Sequence, residues 1–305
     1  MSRGLAVVVY IILCFIWSST WLMIKVGLEG APPMTSAAFR FIISSFIIFA
    51  ILLKLRIKLP ASRRFILLSV YLGFFQMGIP YALVYWGEQH ISSGLAAILF
   101  SIMPLFVAVF ARFLIGDSLT VRKIAGILIG ALGVYVIFAG NIAAGDGMGI
   151  WGMLALLISA ILASLTSVII KKNSGNYHPF ASLFIPIALG GVLLAVWGLL
   201  FEDVRSMRLD PLTITSILYL GILGTVIAFG LYFWIIKHID VTFLSYMTFI
   251  IPILACLLGW IFLHETLTIN VLFGAGLIFA GIALATLRRN KTKGATDGIL
   301  PGSTG

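Results

Sequence analysis

The stretch IGDSLTVRKIAGILIGALGVYVI at residues 115–137 returns in altered form as LHETLTINVLFGAGLIFAGIALA at residues 263–285. Asp117, Leu119 and Thr120 fall opposite Glu265, Leu267 and Thr268, and Gly133 falls opposite Gly281, without a gap at a separation of 148 residues. The match extends upstream at the same separation, where Trp86, His90, Ile91 and Pro104 meet Trp234, His238, Ile239 and Pro252. Earlier still the separation is 146, pairing Thr20 with Thr166, Lys25 with Lys171 and Pro33 with Pro179. One chance match means little; this many at two neighbouring separations mean duplication.

Composition says what is duplicated. The 305 residues are 61% hydrophobic and 10% charged, with a mean hydropathy of +1.17, whereas a soluble domain carries about 25% charged residues. That leaves too little polar surface to cover a soluble globule of this size, so lipid is the solvent for most of the chain. A bilayer core needs roughly 20 apolar residues in a helix. Cutting at polar and turn-forming clusters gives ten candidate spans, at about 5–26, 35–55, 65–87, 93–114, 121–140, 149–170, 180–201, 213–236, 242–263 and 269–287. The longest connections, 54–64 and 202–212, are too short to hold a soluble catalytic domain.

Each half therefore holds five helices, and because five is odd the second half must enter the membrane from the opposite side. The predicted fold is an all-α membrane protein of ten transmembrane helices, arranged as two inverted five-helix repeats. The repeats occupy 5–140 and 149–287, and the Gly/Thr/Ser-rich end at 288–305 reads as a disordered cytoplasmic tail. Inverted repeats are a design of secondary transporters that expose a midplane site to each side in turn.

A net charge of +10 would suggest nucleic acid in a soluble protein. Placed on ten spans, the basic residues instead gather on the side of the N-terminus. They are Arg3, the five between Lys54 and Arg64, then Arg112, Arg122, Lys123, Lys171, Lys172, Lys237, Arg288, Arg289, Lys291 and Lys293. Only Lys25, Arg205 and Arg208 fall on the other side, and Arg40 lies within the second span. The positive-inside bias then makes both termini cytoplasmic, with anionic lipid headgroups rather than nucleic acid as the partner. The apolar stretch at 5–28 exceeds a signal-peptide core of about 7–15 residues and reads as a retained first span. Cys14 and Cys256, far apart in apolar runs, form neither a disulfide framework nor a metal spacing.

The two quoted stretches resemble the Gly-acid-x-Leu-Thr…Gly…Gly signature that closes each EamA domain, a family of the drug/metabolite transporter superfamily. The early WSSTW at 17–21 with Lys25, and Pro33 followed by Phe39-Arg40-Phe41, are similar to its opening. The resemblance covers about 5–287 and implies a ten-helix carrier of the bacterial inner membrane, usually an exporter of amino acids or other small metabolites. The second half departs from the pattern, with His264 in place of a Gly and Phe184-Ile185 in place of Phe-Arg-Phe. The departure weakens any expectation that both halves contact substrate equally.

Mid-helix proline leaves the carbonyl four residues earlier without its partner. Pro104 and Pro252 occupy equivalent places midway along the fourth and ninth spans, so the carbonyls of Phe100 and Thr248 are expected to line a cavity, with the prolines as symmetric hinges. The structural alternative is a kink that neighbouring helices tolerate. In the third span Pro80 has no proline counterpart, since Ala228 stands in its place. Helical spacing gathers the substrate-binding candidates Trp17, Thr20, Trp21, Gln76, Tyr81, Phe100, Ser101, Tyr246 and Thr248, with Tyr85, Ser164, Ser167, Tyr232, Ser245 and Phe249 nearby. Aromatic side chains in membrane helices more often pack or anchor at the interface, as expected of Trp86 and Trp234.

Arg40 is the deepest charge, and an intramembrane charge is a functional hypothesis by default. An ion pair with Glu88, or with Glu29, is the preferred reading over capture of a substrate carboxylate, and Lys25 is placed to snorkel. Asp117 and Glu265 are expected to support caps by Thr120 and Thr268 on the helices that follow. No acid falls in the centre of a span, which favours facilitated diffusion or exchange and leaves proton antiport through a peripheral His or acid open. Gly126, Gly130, Gly133, Gly274, Gly276 and Gly281 permit close helix approach, within the bundle or in a homodimer. No HExxH, GxSxG or Walker A pattern is present, and the GxGxxG at 147–152 follows no strand. Neither catalytic residues nor a metal or cofactor site are expected. The substrate is read as a small neutral or zwitterionic metabolite; a channel, a non-transporting scaffold and, less so, a membrane-embedded enzyme are the competing classes.

Overall fold

The computed structural model describes residues 3–143, 145, 147–173, 177–236, 238–239 and 241–286. Asp146, Lys237 and the tail at 288–305 lie outside the described residues. Ten helices are long and apolar enough to cross a membrane: α1 (Gly4–Leu28), α2 (Pro33–Lys54), α3 (Arg63–Glu88), α4 (Ser93–Ile115), α5 (Val121–Ile142), α6 (Gly147–Asn173), α7 (Pro179–Phe201), α8 (Pro211–Ile235), α9 (Phe243–Leu263) and α10 (Ile269–Thr286). Among the described residues there is no strand. The chain is an all-α membrane protein of two inverted five-helix repeats.

The halves interlock. α1 packs against α8 and α9 of the second half, and its repeat mate α6 packs against α3 and α4 of the first. α2 lies along α7, and α5 along α10. The α5–α10 contact uses the glycine ridge: a Cβ on Gly126 would strike the Gly281 carbonyl, and one on Gly133 would stand 2.5 Å from the Gly274 carbonyl. The dimer expected through these glycines thus finds its small-residue ridge occupied within the bundle; Gly276 alone of the α10 set faces open space.

Both third helices of the repeats contain a π-helical turn, Gly73–Gly78 in α3 and Ile222–Ile227 in α8. Such wide turns free a carbonyl and recur at functional sites. In α8 the Thr225 hydroxyl donates to the Leu220 carbonyl five residues back, at 2.9 Å. In α3 the flanking glycines let α7 approach, with Leu189 against Gly73 and Leu193 against Gly78. Both helices deform at neighbouring repeat positions, and Pro80 follows the π turn near the start of Ile79–Glu88, as Ala228 starts Ala228–Ile235.

The prolines of α4 and α9 are placed differently. α4 breaks between Ser93–Phe100 and Met103–Ile115, and Pro104 sits in the first turn of the second piece, where its missing N–H costs nothing. Pro252 lies inside the continuous helix Met247–Leu263, which is separated at Tyr246 from the short piece Val241–Ser245.

The corners after α4 and α9 are alike. Gly116 and His264 both adopt the left-handed conformation, φ 72° and 53°, and the next N–H, of Asp117 or Glu265, reaches back to the Ala111 or Gly259 carbonyl at 3.1 Å in each case. The histidine therefore keeps the glycine's fold. Thr120 accepts from Lys123 N–H and Thr268 from Val271 N–H, as expected of caps. The acids do something else. Glu265 caps α4 rather than α10, and Asp117 faces its own Ser118 N–H and Lys123.

Candidate functional site

Arg40 lies two turns into α2 and keeps 3% of its surface exposed. Its Nε donates to Thr225 Oγ1 at 3.1 Å and an Nη donates to the Tyr85 hydroxyl at 3.4 Å. The guanidinium carbon stands 5.0 Å from the Tyr81 ring centre and 5.5 Å from that of Phe41, and those two rings meet edge to face at 4.7 Å. Cation–π contact of this kind is worth more when water is excluded. The π turn of α8 explains why Thr225 reaches the site. Gly224 beside it leaves room, since a Cβ there would stand 2.8 Å from Thr20 Cγ2 and 3.8 Å from an Arg40 nitrogen.

The expected ion pair is not formed. Among the described residues the salt bridge within 4.0 Å is Lys123–Asp117, and neither Glu88 nor Glu29 pairs with Arg40. Lys25 is half-buried, and its ammonium donates to the carbonyls of Glu88 and Ile91, at 2.6 and 2.8 Å, closing the last turn of α3. Arg40 thus holds a buried positive charge against hydroxyls and aromatic faces, with no carboxylate within 4.0 Å among the described residues.

The other predicted residues fall into separate groups. Trp17 meets Phe229 and Tyr232 of α8, at 6.1 and 5.3 Å between ring centres. Trp21 meets Phe100 at 5.5 Å. The hydroxyls of Thr20 and Ser101 donate within their own helices, to Trp17 O and Ile98 O. Gln76 sits half-buried in the π turn of α3. Thr248 is half-buried, while Tyr246 is 39% exposed and meets the Phe243 ring. Sequence reasoning missed Thr225 and Phe229; Thr225 was findable as the one hydroxyl between Tyr219 and Tyr232 in α8.

The two ends of the bundle are not equally closed. At the end where α3 meets α4, residues Ser93 to Leu99 are all buried. Glu265 holds them, accepting from Ser93 N–H and Ser93 hydroxyl at 2.8 Å each and from Gly94 N–H at 3.3 Å. Cys256 lies over Gly94, its thiol 3.7 Å from that carbonyl. Glu202 likewise caps α2 through Met34 N–H, Thr35 N–H and the Thr35 hydroxyl, at 2.7 to 2.9 Å. At the other end the repeat mates are mixed, with Leu244 and Met247 buried. Phe243 and Tyr246 are each 39% exposed, and the Asp117 side chain is 47% exposed and 3.8 Å from Lys123.

The model of the EamA-like transporter family matches residues 4–139 and again 150–287. Among curated proteins, the chain is 30% identical to the uncharacterized transporter YoaV of Bacillus subtilis (strain 168) over 282 residues, 91% of this chain and 95% of the relative. It is 28% identical to the uncharacterized inner membrane transporter YedA of Escherichia coli (strain K12) over 276 residues, 90% of this chain and 88% of that one. It is also 26% identical to the protein PagO of Salmonella typhimurium, with 93% of each chain covered. A solved protein structure shares the fold, with a TM-score of 0.65 at 23% identity over 93% of this chain and 97% of the other.

Proposed function

Because the chain belongs to the EamA-like transporter family and is a multi-pass membrane transporter, we propose that it exports amino acids or similar small neutral or zwitterionic metabolites across the bacterial inner membrane. Both termini face the cytoplasm, and a cavity between the repeats opens to each side in turn. The observation that carries the reading is unequal closure of repeat-equivalent segments: Ser93 to Leu99 are all buried under Glu265, while of their repeat mates Phe243 and Tyr246 are exposed and Leu244 and Met247 buried. In a pseudo-symmetric carrier, exchanging the two conformations between the halves gives the opposite-facing state. With the basic loops cytoplasmic, the sealed end is external and the molecule faces inward.

The substrate class is supported by Arg40. An unpaired guanidinium between Tyr81 and Phe41, oriented by Thr225 and Tyr85, suits one carboxylate of a small solute. The aromatic groups around Trp17 and Trp21 suit its apolar part. Pro104 is proposed as the hinge of α4 at the Ser101–Ile102 break, and Pro252, inside a continuous helix, as a much weaker one in α9. The test is counterflow into proteoliposomes loaded with a pool of amino acids and common metabolites. A saturable, trans-stimulated uptake is expected for at least one amino acid; unsaturated flux would mark a channel, and none a scaffold.

A further inference from the structure

Glu88 is the last residue of α3 and is fully buried. Both of its carboxylate oxygens lack a hydrogen-bond partner among the described residues. The charges that face it are committed elsewhere. Lys25 of α1 donates to main-chain carbonyls, Arg40 of α2 to Thr225 and Tyr85, and Glu265 from the α9–α10 corner accepts from the first turn of α4. On its own helix Tyr85 lies one turn away toward Arg40, and His90 follows at the corner with its ring against Trp86. From α4 come the hydroxyls of Ser92 and Ser93, both engaged in caps, and α6 presents Gly152, Ala155 and Leu156 beside Gly87. Ser36 of α2, one turn from Arg40 toward the same end, is likewise buried without a partner.

An ionised carboxylate stripped of water and of donors costs several kcal/mol, so such a group takes up a proton instead. The hydrogen bonds between Ser93 and Glu265 close the same end of the bundle. We propose that Glu88 is a proton-binding site whose occupancy is tied to closure of the sealed end: Glu88 holds a proton while that end is shut and releases it when the end opens to water beside Lys25. Tyr85 links this site to Arg40, so a solute at Arg40 and a proton at Glu88 act on the same turns of α3. The inference rests on the alternating-closure reading and adds the ligand that drives it.

Two measurements on the full-length protein in lipid nanodiscs test it, both without a substrate. Infrared difference spectra are expected to show a protonated carboxylic-acid band at neutral pH that Glu88→Gln removes. Spin labels at Gln89→Cys and Ile269→Cys, with Cys14 and Cys256 replaced by Ser, are expected to report two distances across the sealed end. Acidification shifts the closed-to-open ratio upward by up to about tenfold per pH unit, the limit for one linked proton. Glu88→Gln is expected to stay closed across the same pH range. Absence of the acid band in the otherwise unaltered chain overturns the proposal, as does an equal pH response with and without Glu88. A single distance under every condition overturns the coupling and alternating closure together, whereas two distances indifferent to Glu88 leave alternating closure standing.

Discussion

Glu265 and Ser93 come from opposite repeats, yet two 2.8 Å hydrogen bonds from the main-chain N–H and hydroxyl of Ser93 to the Glu265 carboxylate join the α9–α10 corner to the first turn of α4. Among the described residues the repeat mate Asp117 makes no such bond, and its side chain is 47% exposed. Glu265→Ala removes a helix-cap acceptor, a loss of about 1–2 kcal/mol, or roughly a 5–30-fold shift toward the externally open state. Faster labelling of Cys256 by a membrane-impermeant maleimide is expected, with Asp117→Asn unchanged.

The glycines of α5 and α10 separate packing from chain flexibility. A Cβ at Gly133 would stand 2.5 Å from the Gly274 carbonyl and 2.9 Å from the Ile278 side chain, while at Gly276 nothing lies within 4 Å. Gly133→Ala is expected to destabilise by about 1–3 kcal/mol through overpacking. Gly276→Ala is expected to be neutral or slightly stabilising, since alanine favours the helix by about 1 kcal/mol. Thermal melts of the two variants in the same detergent decide it.

The two repeat-equivalent prolines should behave differently. Pro104→Ala allows α4 to run on through Ser101–Ile102 and is expected to slow exchange by about tenfold if the break is a hinge worth about one turn's hydrogen bond. Pro252→Ala, inside a helix that is already continuous, is expected to leave the rate within about twofold. Equal effects of the two substitutions would remove the hinge assignment to α4.

Asp210 caps α8 by accepting from Thr213 N–H at 2.8 Å, and that bond holds its carboxyl below the usual carboxylate value. A depressed folded-state value means that the stabilisation is present above the unfolded value and is lost as pH falls through the folded one. Asp210→Asn is therefore expected to be less stable at neutral pH and to converge with the parent protein in strong acid. Melting temperatures measured down the acid limb check the convergence.

Span number, repeat inversion and the family resemblance were legible because periodic apolar length and matched turns such as Asp117–Thr120 and Glu265–Thr268 are local properties of a sequence. Partners across the bundle were not. Arg40 and Glu88 share an end of the membrane and so suggested a pair, but Arg40 is oriented by Thr225, which only the π turn of α8 brings to it. Glu265 looked like a local cap because Thr268 follows it; its carboxylate reaches α4 because the interlocked halves place that helix start beside the corner. The trio Arg40, Tyr81 and Phe41 was half visible, since Arg40 and Phe41 are sequence neighbours and Tyr81 stands among polar residues of α3.

The central claim is that Arg40 receives the carboxylate of a transported zwitterion. Counterflow of an amino acid, identified by the proteoliposome screen, is to be compared with that of its carboxamide for the parent protein and Arg40→Gln, at matched thermal stability. Loss of charge-assisted hydrogen bonds worth about 1.5–3 kcal/mol predicts a slowing of the amino acid by roughly 10–150-fold, with the carboxamide unaffected. Equal slowing of both solutes, or of neither, would contradict the assignment of Arg40 to the substrate.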